Sequence, residues 1–177
     1  MTTPTPPAPL LTREHEDLLQ ALAQHRTFLR VTAAGLTDAQ AASTPTASEL
    51  SIGGLIKHVA ASETAWIDFI LTGPAAVAFE PGEEHVEARR NEFRMIGGET
   101  LADVLDHYAA VERRTDAVVA AIVDLDASQP LPEAPWFEPG ARWSARRALL
   151  HVIAETAQHA GHADVIRETI DGQKTMG

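Results

Sequence analysis

The chain has 177 residues, no cysteine and a formal net charge of −11, with 25 acidic against 14 basic residues. The length suits one domain that buries roughly 70% of its unfolded surface without disulfide staples, and the missing thiols exclude disulfides, thiolate metal ligands and a cysteine nucleophile. The excess of acid withholds the positive footprint that nucleic acids and anionic membrane surfaces select, and no apolar run is long enough to span a bilayer, so neither is an expected partner.

The chain opens with MTTPTPPAPLL, which lacks the basic and apolar regions of a signal peptide. Residues 1–9 are expected as a flexible tail, 10–172 as one domain and 173–177 as a second tail, in a soluble cytoplasmic protein. The first helix is expected over about Thr12–Thr32, where Leu18, Leu22 and Leu29 keep helical spacing, closed by Gly35 and the Pro45 region. The second runs over about Ser51–Leu71, with Ser51 as N-cap and Gly73-Pro74 as the stop. A weaker helical signal covers Glu83–Phe93. The third long helix is expected over about Thr100–Val123, opened by the capping pair Thr100 and Asp103. Leu125–Trp143 holds Pro130, Pro132, Pro135, Pro139 and Gly140 and cannot continue a helix. The last helix spans about Ser144–Asp171, with Gly172 beyond it. No period-2 strand is expected. The fold class is therefore all-α, an antiparallel four-helix bundle with an irregular proline- and aromatic-rich loop before the last helix.

That loop carries Trp136, Phe137 and Trp143. Such aromatics either cap the open end of the core or wall a ligand pocket.

The last helix concentrates the chemistry. In HVIAETAQHAGH, the residues His151, Glu155, His159 and His162 fall within an arc of roughly 80°, beside Ala148, Val152 and Ile166. A carboxylate in an apolar stripe is costly unless it is paired or bound to a cation. The i, i+4 spacing of Glu155 and His159 is one by which a helix offers two ligands to one ion, although a polar seam satisfied by water has the same pattern. On the second helix, His58 shares its arc with Leu55, Ser62, Trp66 and Phe69 and so faces the core. It is either a hydrogen-bonded core histidine or a third ligand from a facing helix. His58, Glu155 and His159 together make a His2Glu set that leaves one position of a tetrahedral ion open. Zinc and nickel both suit it. His151 and His162 are candidates to orient a ligand. His162 is also a candidate pocket acid or base, or a substitute for Glu155. His15, His25, His85 and His107 read as surface or structural residues.

Three stretches carry a resemblance: SIGGLIKHVAASETAWI, the PWF of residues 135–137, and LLHVIAETAQHAGHADVIRETIDG. They resemble the DinB-like superfamily of metal-binding four-helix bundles, and within it the mycothiol-using branch that includes maleylpyruvate isomerase. The resemblance implies that His58, Glu155 and His159 bind the divalent ion, with Glu155 where many relatives have histidine. It implies that mycothiol, or a similar small thiol, binds the ion as thiolate and attacks an electrophile. The expected function is a metal-dependent S-transferase or thiol-assisted isomerase acting on a small electrophile. Trp66, Trp136 and Phe137 are the expected pocket walls. The rival readings are a hydrolase using metal-bound water and a non-catalytic metal-binding stress-response protein. An apolar helix face left over after bundle closure would favour a homodimer.

Overall fold

The computed structural model describes residues 11–78 and 82–175. The expected tail at 1–9 lies outside the described residues, as does the end of the chain after residue 175. Four long helices form the frame: α1 (Arg13–Ala33), α3 (Ile52–Thr72), α5 (Leu101–Ala121) and α6 (Ala145–Asp171). Each begins at a hydroxyl cap that accepts from the backbone of the first turn: Thr12, Ser51, Thr100 and Ser144. Such caps satisfy amides that have no partner within the helix. Gly73 and Gly172, with φ of 93° and 78°, stop α3 and α6 in backbone conformations that a side chain would strain.

Among the described residues two shorter α-helices join them, and a 3-10 turn at Pro74–Val77 follows α3. α4 (Glu83–Glu92) occupies the weaker helical signal. α2 (Asp38–Ala42) has no counterpart in the sequence reading, because five residues are too few to show a period. It is built on a Thr37–Gln40 capping box, and its Asp38 accepts a hydrogen bond from Leu101 N at 2.8 Å, so it also caps α5. The absence of strands is corrected: β1 (Ser128–Pro130) and β2 (Arg142–Ser144) pair antiparallel, with Gln129 opposite Trp143. Three-residue strands cannot display an alternation. This ribbon ties the proline-rich loop to the start of α6 and fixes where Trp143 stands.

α1 packs chiefly on α6, and α3 on both α5 and α6. Their apolar faces form two clusters. One gathers Leu29, Leu55, Ile56, Val59, Tyr108, Ala160 and Ile166. The other gathers Leu18, Leu22, Trp66, Phe69, Val119, Leu149 and Val152. Along each long helix a buried polar residue separates the two: Arg26 in α1, Glu63 in α3, Thr115 in α5 and Thr156 in α6. Arg26 joins three helices there, with Nε and Nη2 on Glu63 at 3.2 and 2.5 Å and Nη1 on Asp116 at 2.8 Å. Burial opposes the Arg26 charge, but Glu63 and Asp116 outweigh it and raise its pKa. Near the chain's end, buried Arg167 donates to the carbonyls of Thr32 and Ala34, both at 2.8 Å, closing the C-terminus of α1.

Candidate metal centre

Next to this seam, on the side of the first cluster, α3 presents histidine to the histidine and glutamate of α6. His58 lies one turn after Gly54 on the buried face of α3 and is 2% exposed. On α6, Glu155 and His159 stand between Val152 of one cluster and Ala160 of the other. The antiparallel run of α3 and α6 brings the three together. His159 Nε2 is 3.4 Å from Glu155 Oε2, and His58 Nε2 is 3.9 Å from the same oxygen. The two imidazole centroids are 4.9 Å apart, and one donor atom from each of the three residues lies within 4.8 Å of the others. In a tetrahedral site with bonds of about 2.0–2.1 Å, donor atoms are about 3.3 Å apart. Closing these separations to that value would let the triad share one divalent cation, and its donor set of two imidazoles and a carboxylate suits zinc or nickel.

Electrostatics keep the carboxylate anionic. His159 first, then His58, hold the Glu155 carboxyl well below the usual range against the opposing effect of burial. Burial disfavours the His58 imidazolium, yet the carboxylates of Glu155 and Glu92 outweigh it and raise the His58 pKa. His151 behaves differently. Desolvation dominates and lowers its pKa, which favours the neutral ring. It packs edge-on against Trp66 and Trp143, with centroids at 4.8 and 5.2 Å, and its Nε2 is 3.7 Å from Glu155 Oε1.

Beside the triad opens a cavity of about 760 Å³, a size that suits small-molecule ligands. Glu155 and His151 form part of its lining, with Trp66, Trp143, Phe137 and Trp136 on one side and α4, through Arg89, Arg90 and Glu92, on another. Trp66 and Trp143 stack at 4.7 Å with planes 21° apart. The loop aromatics divide between the two readings left open above. Phe137 packs into the core cluster of Trp66 and also lines the cavity. Trp136 is 62% exposed, so it does not seal the core.

The remaining histidines have distinct places. His162 is exposed, away from the cavity lining, with Nδ1 3.4 Å from His159 Nδ1. That position suits orienting His159 more than acid or base work in the cavity. His15 is buried and bonds Ile122 O at 3.0 Å. His107 is exposed, and His85 stands on the cavity rim. Two neighbours of the triad escaped the sequence reading. Phe93 stacks on His58 at 4.0 Å, and Glu92 Oε2 meets His58 Nδ1 at 3.2 Å. Neither has a ligand spacing to any other residue; the one local signal was the Gly53-Gly54 pair inside an otherwise apolar helix.

Comparison with known proteins places this geometry in context. The family model described as mycothiol S-transferase matches residues 17–172. Among solved structures, a conserved protein from Enterococcus faecalis superposes with a TM-score of 0.67 at 17% identity, covering 92% of this chain and 100% of its own. At that identity the likeness speaks for the fold alone. No curated protein matches.

Proposed function

We propose that this chain, which belongs to the mycothiol S-transferase family, is a divalent-metal-dependent enzyme that adds an external thiol to a small electrophile or uses it to isomerise one. The supporting observation is the convergence of His58, Glu155 and His159 beside an aromatic-walled cavity. In this reading the three residues hold zinc or nickel, and Glu155 contributes the anionic donor. A divalent cation held by these residues would supply the charge that lets an external thiol lose its proton at neutral pH. The rest is the work of the chain. Trp66, Trp143 and Phe137 present flat apolar surface against which the electrophile packs and from which water is displaced. Trp136 borders the cavity at its exposed edge. His162 orients His159 through the ring nitrogen that faces away from Glu155. The sulfur forms a bond to an electrophilic carbon. In transfer, the displaced electron pair leaves with the departing group or takes up a proton; in isomerisation, it returns as the carbon–sulfur bond breaks. In this reading a single domain carries the site.

Omission of the thiol tests this directly. Metal-loaded protein is given a panel of electrophiles with and without mycothiol or a close analogue. Turnover is expected only when metal and thiol are both present. Turnover that persists without thiol would replace the proposal with hydrolysis by bound water.

A further inference from the structure

Two consecutive glycines near the start of a buried helix are a local cost, since alanine is better there by about 1 kcal/mol per residue. Space explains them. A Cβ on Gly54 would collide with the backbone carbonyl of Phe93 and come within 2.9 Å of Arg94 N, and one on Gly53 would overlap the Met95 side chain. The 93–95 segment therefore runs directly against α3, one turn before His58. The contact delivers two side chains to the imidazole. The Phe93 ring stacks on it at 4.0 Å and 21°, and the Glu92 carboxylate reaches Nδ1 at 3.2 Å.

Glu92 is the last residue of α4, a helix with no buried residue of its own. Arg89, one turn earlier, bonds the same Glu92 oxygen at 2.7 Å and holds it toward His58. An ionised carboxylate only accepts hydrogen bonds, so the proton between the two groups belongs to His58 Nδ1. The lone pair of the neutral ring is then on Nε2, the nitrogen that faces Glu155. A carboxylate behind a ligating imidazole fixes the tautomer and ring orientation and strengthens the donor.

We infer that Glu92 is a positioning residue of the metal centre: from α4, seated by the Gly54 notch, it fixes His58 as the Nδ1–H tautomer with Nε2 turned to Glu155. The inference rests on the reading of His58 as a ligand. It also extends the centre beyond the two facing helices, because α4 walls the cavity and supports the metal site through one side chain.

The test uses the full chain stripped with chelator. The His58 tautomer is read from long-range 15N–1H correlations on metal-free protein at a pH where the ring is neutral. Zinc affinity is read by competition with a chromophoric chelator. Wild type is expected to show Nδ1–H. Glu92→Ala is expected to shift His58 toward Nε2–H and to weaken zinc binding by about 10- to 100-fold. Glu92→Gln, whose amide oxygen still accepts from Nδ1, is expected to recover much of the loss. Wild-type His58 found as Nε2–H would overturn the inference without any variant. So would Glu92→Ala with wild-type zinc affinity, or with only a lowered melting temperature. Wild type that binds no zinc would instead overturn the metal reading beneath it, a result recognisable because the variant would then have nothing to lose.

Discussion

Replacing Arg26 by methionine leaves a fully buried carboxylate without its cation. Glu63 is 0% exposed, and both its oxygens are bonded to Arg26. Breaking a buried pair by removing one partner costs about 3–5 kcal/mol, and the lost bond to Asp116, whose carboxylate is 52% exposed, adds at most about 1. A domain of this size has about 5–15 kcal/mol in all, so Arg26→Met removes a large share. Glu63→Leu is the milder change. It leaves Arg26 paired with Asp116 at 2.8 Å, and its expected cost is about 1–3 kcal/mol. The double variant, with an apolar pair in the seam, is expected within about 2 kcal/mol of wild type. Urea denaturation of chelator-stripped protein measures all three, which removes stabilisation by bound metal from the comparison. A cost below about 1 kcal/mol for Arg26→Met, a larger cost for Glu63→Leu than for Arg26→Met, or simple addition of the two losses would refute a buried ion pair of this kind.

Other expected outcomes concern the site and the frame around it. His159→Ala should abolish stoichiometric zinc binding and Glu155→Gln should weaken it, whereas His15→Ala should keep full metal content and lose stability through its bond to Ile122 O; equilibrium dialysis and thermal melts read these separately. Tyr108 Oη is buried without a hydrogen-bond partner among the described residues, so Tyr108→Phe should be neutral or stabilising by about 1 kcal/mol in urea, and a loss of that size would show that the hydroxyl has a partner. The Asp103 carboxyl is held below its ordinary value by the Thr100 hydroxyl and amide. A lowered folded-state pKa contributes stability above the unfolded pKa and loses it as pH falls through the folded one. The gap in melting temperature between wild type and Asp103→Asn should therefore be full near pH 6 and close as pH drops below about 4; a gap that is constant with pH would contradict the assignment.

The long helices were legible because each carries its own punctuation. Thr12, Ser51, Thr100 and Ser144 cap the ends where the sequence places them, and the apolar spacing of Leu18, Leu22 and Leu29 names the buried face of α1. The HVIAETAQHAGH pattern and His58 pointed to facing groups because helical geometry fixes which residues share a side. What stayed hidden depends on contacts between distant segments. Glu92 reaches His58 only because the 93–95 backbone crosses Gly54, and no spacing within α4 announces that crossing. Arg26 has the same problem: its partners lie 37 and 90 positions away. Trp136 shows the limit of composition, since an aromatic residue in a proline-rich loop reads alike whether it is core or 62% exposed.

The most direct test of the account loads chelator-stripped protein with cobalt(II) and records the absorption spectrum before and after mycothiol is added. Cobalt(II) accepts the same imidazole and carboxylate donors, and coordination by thiolate adds an intense near-ultraviolet charge-transfer band. One equivalent of bound cobalt is expected, with that band on addition of thiol and loss of both in His159→Ala. A saturable cobalt site whose spectrum does not respond to saturating thiol, or cobalt bound fully by His159→Ala, would contradict it.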